Sequence, residues 1–174
     1  METLVVMAME EEEGGLLRKE NVSVMFTGIG KINATYNLLK AISDHKPELV
    51  INFGTCGGAL SAGQIVECVE FKQRDMPRID GFYGPPILRV SGRTSYPKIK
   101  CSSGDSFVNN CSKNNVEDME AYALAHVCAK EQVNFLCLKY ISDAGDFKQW
   151  KECLPNASKA FLETYKELQR SLSL

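Results

Sequence analysis

Residues 137–146, CLKYISDAGD, run through mostly apolar residues and end by releasing Asp143 and Asp146 around Gly145. An aspartate delivered from the end of an apolar strand enters a poorly solvated place, where burial raises its pKa toward the range a general acid needs near neutral pH. A second supply of carboxylates stands at Glu10 to Glu13, directly after the β-branched run TLVVMAM. Separated carboxylates suit a reaction with opposite demands at its two ends. One acid protonates a leaving group, while another carboxylate works where positive charge develops or water is activated. Asp143 can equally cap a turn, although Asp146 is the better placed of the two for capping.

Two glycine segments complete the chemistry-bearing residues: GIGK at 28–31 and GTCGG at 54–58. Neither has the spacing of a phosphate-cradling loop, and no acidic ribose ligand stands at the dinucleotide spacing. Glycine at such places lets a sugar or a base approach the backbone closely. Taken singly, a glutamate run is also an ordinary helix start and glycines after strands are ordinary turns. All four clusters, however, come directly after apolar strand-like runs. In open α/β sheets ligands bind beyond the carboxyl ends of the strands, so one shared rim is expected.

The elements that must position these residues alternate between strand and helix. TLVVMAM, VSVMFTGIG and ELVINFGTCGG read as strands, and KINATYNLLKAISDHKP reads as an amphipathic crossover helix on the spacing of Ile32, Tyr36, Leu39 and Ile42. DMEAYALAHVCAKEQ reads as a helix and NFLCLKYISD as a strand. A last helix is expected from Ala157 on, with Phe161, Leu162, Tyr165 and Leu168 along one stripe. The pattern indicates an α/β sheet covered on both faces. Residues 73–96, rich in proline and glycine, read as a long loop with one short strand, a wall or lid for the site.

With 174 residues, of which 44% are hydrophobic, the chain has the length and apolar content of a single domain, 1–174. A net charge of −2 and scattered lysines argue against nucleic acid or an anionic membrane as partner, leaving small neutral ligands. No apolar run approaches the roughly 20 residues of a spanning helix, and no basic leader precedes the first apolar segment, so a soluble cytoplasmic protein is expected. Seven cysteines and two histidines, His45 and His126, show no metal-ligand spacing. The cysteines read as small buried hydrophobes, and neither metal nor cofactor is expected.

The ordered set AMEEE (8–12), GIGK (28–31), INFGTCGG (51–58), SGDSFV (103–108), DMEAYALAHVC (118–128) and ISDAGD (141–146) resembles the methylthioadenosine/S-adenosylhomocysteine nucleosidases of the nucleoside phosphorylase superfamily. The resemblance implies a three-layer αβα fold around a central mixed sheet, usually a homodimer, that hydrolyses an adenine nucleoside, its small-molecule purine nucleoside substrate, to adenine and a 5-substituted ribose. It further implies that Asp143 protonates the imidazole ring of the purine, with Ser142 orienting it, and that Glu12 activates water. Met119 and Glu120 would hold the ribose. Phe107 would stack on adenine, the Val108 backbone would read its edge, and Thr55 would lie near sugar and water.

The chain departs from the family pattern in reading DMEA for EMEA, Lys139 for arginine and Thr55 for serine. It is also shorter between AMEEE and GIGK and between QRDM and SGDSFV. Trp150, Phe82 and Tyr83 are candidates to close the pocket, or else core or interface aromatics. Alternatives are a nucleosidase for another purine nucleoside such as futalosine, a phosphorylase using Arg18, Arg74 or Lys31 on phosphate, and a purine-binding protein without activity.

Overall fold

The computed structural model describes residues 2–58, 61–77, 85–108, 114–143 and 146–172, without the side chain of Asp143. In chain order the elements are β1 (Thr3–Met7), α1 (Glu10–Glu13), α2 (Leu16–Lys19), β2 (Val24–Phe26), α3 (Lys31–His45), β3 (Leu49–Gly57), β4 (Ile65–Gln73), β5 (Leu88–Arg89), β6 (Lys98–Ser103), β7 (Asn115–Asp118), α4 (Ala121–Glu131), β8 (Asn134–Asp143) and α5 (Phe147–Leu172).

All eight strands belong to one mixed sheet. β1 lies parallel between β2 and β3, and β3 is parallel to β8 from Leu49↔Asn134 to Gly57↔Asp143. β8 runs antiparallel to β4, β4 parallel to β6, β6 parallel to β7, and β7 returns to β3 through Gly57↔Glu117. Those five strands therefore close on themselves, with β1 and β2 extending outward from β3. Side chains alternate between faces along each strand. Leu4, Val6 and Val50 pack with Leu38, Ala41 and Ile42 of α3 and with α4, whereas Val5, Met7, Leu49, Ile51 and Phe53 pack with Leu17 of α2 and Ala157, Phe161 and Tyr165 of α5. The expected αβα layering is thus present, around a sheet that curls shut.

Three sequence expectations need correction. The stripe Ile32, Tyr36, Leu39 does not face the core: Ile32 is 81% and Tyr36 68% exposed. The buried face of α3 is Ala34, Leu38, Ala41 and Ile42, so Ile42 alone of the expected stripe turns inward, beside two alanines and Leu38. The last helix starts at Phe147, because the Asp146 side chain accepts from the N–H groups of Lys148 and Gln149 and caps its first turn; Pro155 lies within it. Finally, β4, β6 and β7 were not legible as strands. In the segment read as a lid, β5 is the one short strand described; Phe82 and Tyr83 lie outside the described residues. Among the described residues no helix is long and apolar enough to cross a membrane. Cys56, Cys68, Cys101, Cys128 and Cys137 are buried and, like Cys153, unbridged; Cys111 lies outside the described residues.

Candidate active site

β1 ends at Met7 and the chain turns at once into α1, a single turn whose four glutamates take different environments. Glu10 and Glu11 are exposed, Glu12 and Glu13 buried. Glu13 accepts from the N–H of Gly15 (2.7 Å), the N–H of Arg18 (3.1 Å) and Arg18 Nε (3.0 Å), so it ties α1 to α2. Burial raises its pKa, and the Arg18 and Gly15 donors more than offset this, holding the carboxyl below its usual value. Glu12 points the other way. Its Oε1 accepts from the Thr55 N–H (2.8 Å) and the Thr55 hydroxyl (2.6 Å), and its buried Oε2 has no hydrogen-bond partner among the described residues.

Glu12 and Thr55 border a cavity of about 310 Å³ into which most of the strand-end segments converge. Ala8 and Met9 after β1, Ile29 after β2, Thr55 to Gly57 at the end of β3, Ser106 to Val108 after β6, Glu117 to Glu120 at the β7–α4 junction and Ser142 near the end of β8 all line it. Phe147 and Trp150 from the start of α5 close one side; their rings stack at 5.1 Å, and Phe147 meets the Phe107 ring edge-on at 6.3 Å. Of the residues expected at the site, Glu12, Thr55, Phe107, Val108, Met119, Glu120 and Ser142 border this one cavity. Asp143 is the last residue of β8, and its side chain is outside the described set. The Ser142 hydroxyl donates to the Cys56 carbonyl at 3.1 Å.

The GIGK loop serves this cavity by an unexpected route. Gly28 and Gly30 have φ of 78° and 89°, a left-handed backbone that favours glycine. That turn aims the Gly30 N–H at Glu120 Oε1, 2.8 Å away. Burial, and then the neighbouring Asp118 charge, push the Glu120 carboxyl up to about 8. Lys31 then ties down the loop after β6: its N–H donates to Asp105 at 2.8 Å and its ammonium to Gln73 and Asp75. Among the described residues, no three His, Cys, Asp or Glu side chains converge as a cation cage.

Residues 11–97 match the family model described as the phosphorylase superfamily. A 5'-methylthioadenosine/S-adenosylhomocysteine nucleosidase of Haemophilus influenzae is 31% identical over 182 residues, covering 83% of this chain and 79% of the relative. The chain belongs to this nucleosidase family. Solved structures agree at the level of fold. The apo 5'-methylthioadenosine nucleosidase of Arabidopsis thaliana superposes with a TM-score of 0.85 at 19% identity, covering 97% of this chain and 94% of that one. A Neisseria meningitidis 5'-methylthioadenosine/S-adenosylhomocysteine nucleosidase in complex with methylthio-immucillin-A gives 0.78 at 24%, covering 97% and 100%.

Within this nucleosidase chain, two of the sequence departures turn out to be partners. Asp118 and Lys139, both almost fully buried, form an ion pair at 2.9 Å behind the cavity, and Asp118 also accepts from Ser103 and from the Ala121 N–H. Burial disfavours both charges, but each offsets the other's penalty: the Asp118 carboxyl is held below its usual value and the Lys139 ammonium well above. Sequence reading noted both positions and had no signal that they touch. It also missed the Arg74–Glu117 pair in the cavity wall, 3.2 Å apart, with Arg74 fastened to Ser106 and the Gly104 carbonyl.

Proposed function

We propose that the chain hydrolyses the N-glycosidic bond of an adenine nucleoside of the methylthioadenosine or S-adenosylhomocysteine type, and that residues 1–174 form one nucleoside phosphorylase-like domain. The observation that carries the reading is the buried Glu12 Oε2, without a hydrogen-bond partner among the described residues, bordering a cavity whose other walls hold the Glu120 carboxyl and the Phe107 ring. In this reading Glu12 takes a proton from water as it attacks the anomeric carbon. The C–N bond breaks with its electron pair going to the purine, and Asp143, steadied by Ser142, protonates the imidazole ring. Met119 and Glu120 hold the ribose, Phe107 stacks on the base, and Val108 presents its backbone to the base edge. A carboxylate at the sugar and an acid at the base meet the opposite charges that develop during cleavage.

Water is favoured over phosphate because the cations that a phosphate would need are engaged elsewhere. Arg18 pairs with Glu13 and Glu10, Lys31 with Asp75, and Arg74 with Glu117. Homodimer assembly is part of the proposal. Its support is the apolar stripe left exposed on the outer side of α3, Ile32, Tyr36 and Leu39, with Ile29, Met76 and Ile87 also exposed. With residues of the 73–96 segment forming little of the described wall, discrimination among 5-substituents is expected to be weaker than recognition of adenine.

The test is incubation with methylthioadenosine, adenosylhomocysteine, adenosine and futalosine, with and without phosphate, and chromatography for free base. Adenine released without phosphate is expected. Strict phosphate dependence would move the chain to the phosphorylases, and binding of adenine with no product from any nucleoside would favour a non-enzymatic role. Asp143→Asn is expected to lower turnover on the order of 10²-fold or more, and a near-wild-type rate would remove Asp143 from the mechanism.

A further inference from the structure

Trp150 is the single tryptophan of the chain, and it reaches the cavity from the first turns of α5. The helix start holds it there: Asp146 caps the helix, and the Trp150 N–H closes the first turn on the Asp146 carbonyl at 3.0 Å. From there the indole Nε1–H donates to the Thr55 hydroxyl oxygen at 2.9 Å. That hydroxyl is 2.6 Å from Glu12 Oε1.

The direction of this hydrogen-bond chain is dictated by the chemistry of its members. Indole can only donate, a carboxylate can only accept, and a hydroxyl has one proton and two lone pairs. With the indole proton occupying a lone pair, the hydroxyl proton is directed to Glu12. Oε1 then receives two donors from Thr55, its N–H and its hydroxyl, while Oε2 is left with none among the described residues. A carboxylate held by one oxygen presents the other in a fixed direction. Remove the indole donor and the hydroxyl can rotate toward water in the cavity, so that Glu12 loses a donor for part of the time and its second oxygen is no longer uniquely aimed.

We propose that Trp150 is a positioning residue for the water-activating carboxylate: through the Thr55 hydroxyl it commits Glu12 Oε1 and reserves Oε2 for the nucleophile. The inference rests on the nucleosidase reading above and adds a residue to it. Trp150 also stacks on Phe147, so a role in packing alone is the alternative that the experiment must separate.

Steady-state kinetics on methylthioadenosine would compare Trp150→Phe, Thr55→Val and the double variant. Phenylalanine keeps an aromatic face for Phe147 while losing the donor and part of the ring area, so the kcat against KM split and the double variant separate the hydrogen bond from packing. Trp150→Phe is expected to lower kcat about five- to tenfold with KM within about twofold, the scale of one hydrogen bond. Thr55→Val is expected to lose more, the double variant no more than Thr55→Val, and Thr55→Ser to recover most of that loss. The emission of the sole tryptophan supplies a readout independent of turnover: Thr55→Val, which removes the indole's acceptor, is expected to shift it to the blue, and Thr55→Ser to restore it. A raised KM at unchanged kcat for Trp150→Phe, additive losses in the double variant, or unchanged emission in Thr55→Val would each overturn the inference while leaving the nucleosidase reading intact. Absence of hydrolysis by the wild-type chain, with the emission shift present, would instead overturn that reading and the catalytic role of the network with it.

Discussion

Four consecutive glutamates illustrate how little residue type says without environment. Glu13 spends its carboxylate on Arg18 and Gly15, while Glu12 keeps one oxygen open to the cavity. Glu12→Gln is therefore expected to retain nucleoside binding and lose about 10²-fold or more in turnover. Glu13→Gln should instead lower unfolding stability by about 1–3 kcal/mol, because charged hydrogen bonds are lost from a buried site, and Glu11→Gln should do neither. Equal losses of activity in all three would assign the whole run a structural role. Glu120 makes a pH prediction. Its folded pKa of about 8 lies above the ordinary 4.5, so between those values the native state holds a proton that the unfolded chain has released. Stability should accordingly fall as pH rises through that window and level off above it, by on the order of a few kcal/mol in all. Urea unfolding of wild type and Glu120→Gln across this range checks the sign: parallel profiles for the two would exclude the assignment.

β3 carries a tight constraint at its centre. A Cβ placed on Gly54 would lie 2.8 Å from Lys139 Nζ and 3.8 Å from Glu12 Oε1. Lys139 has no room to retreat, since it is 2% exposed and committed to Asp118. Glycine at this position therefore allows a central strand to pass between the buried Asp118–Lys139 pair and the Glu12 carboxylate. Gly54→Ala is expected to cost about 3–5 kcal/mol, the range for disrupting a buried pair, together with a loss of activity as Glu12 shifts. A thermal melt within a degree or two of wild type would show that the strand can yield after all. Helix α3 shows the converse, an element whose periodicity was correctly read and whose facing was not. Two apolar stripes share that helix, and the larger side chains lie on the outside.

For the whole molecule, that outward stripe is the structural feature to test. Burying Ile32 and Tyr36 against a second copy would gain about 1.5–3 kcal/mol for each side chain, which favours the proposed homodimer. Light scattering at micromolar concentration is expected to give twice the chain mass, and Ile32→Glu with Tyr36→Glu to give a monomer with the fold retained. A wild-type monomer would discard the assembly. The closed ring of β3, β8, β4, β6 and β7 gathers Thr55, Ser106, Glu117 and Ser142 around one mouth, and β1 beside β3 and α5 after β8 bring Glu12 and Trp150 to the same cavity.

Apolar runs ending in glycine or carboxylate were enough, from the sequence alone, to mark four strand ends and an α/β sheet covered on both faces, while the assignment of Thr55, Phe107, Val108, Met119, Glu120 and Ser142 to one site came from the resemblance to the nucleosidase family. They suffice because strand period and burial are local properties, and because ligands collect at the carboxyl ends of such strands. The partners of those residues were decided by tertiary structure. Asp118 with Lys139, Glu120 with the Gly30 N–H and Trp150 with Thr55 join positions 21, 90 and 95 residues apart, and nothing in the spacing of either member signals the other. The strands β4, β6 and β7 were likewise hidden, since polar residues interrupt their alternation and only closure of the sheet gives those residues neighbours. Which of four glutamates faces the cavity depended on the same closure, because a single turn of helix points its side chains in every direction and only packing selects one.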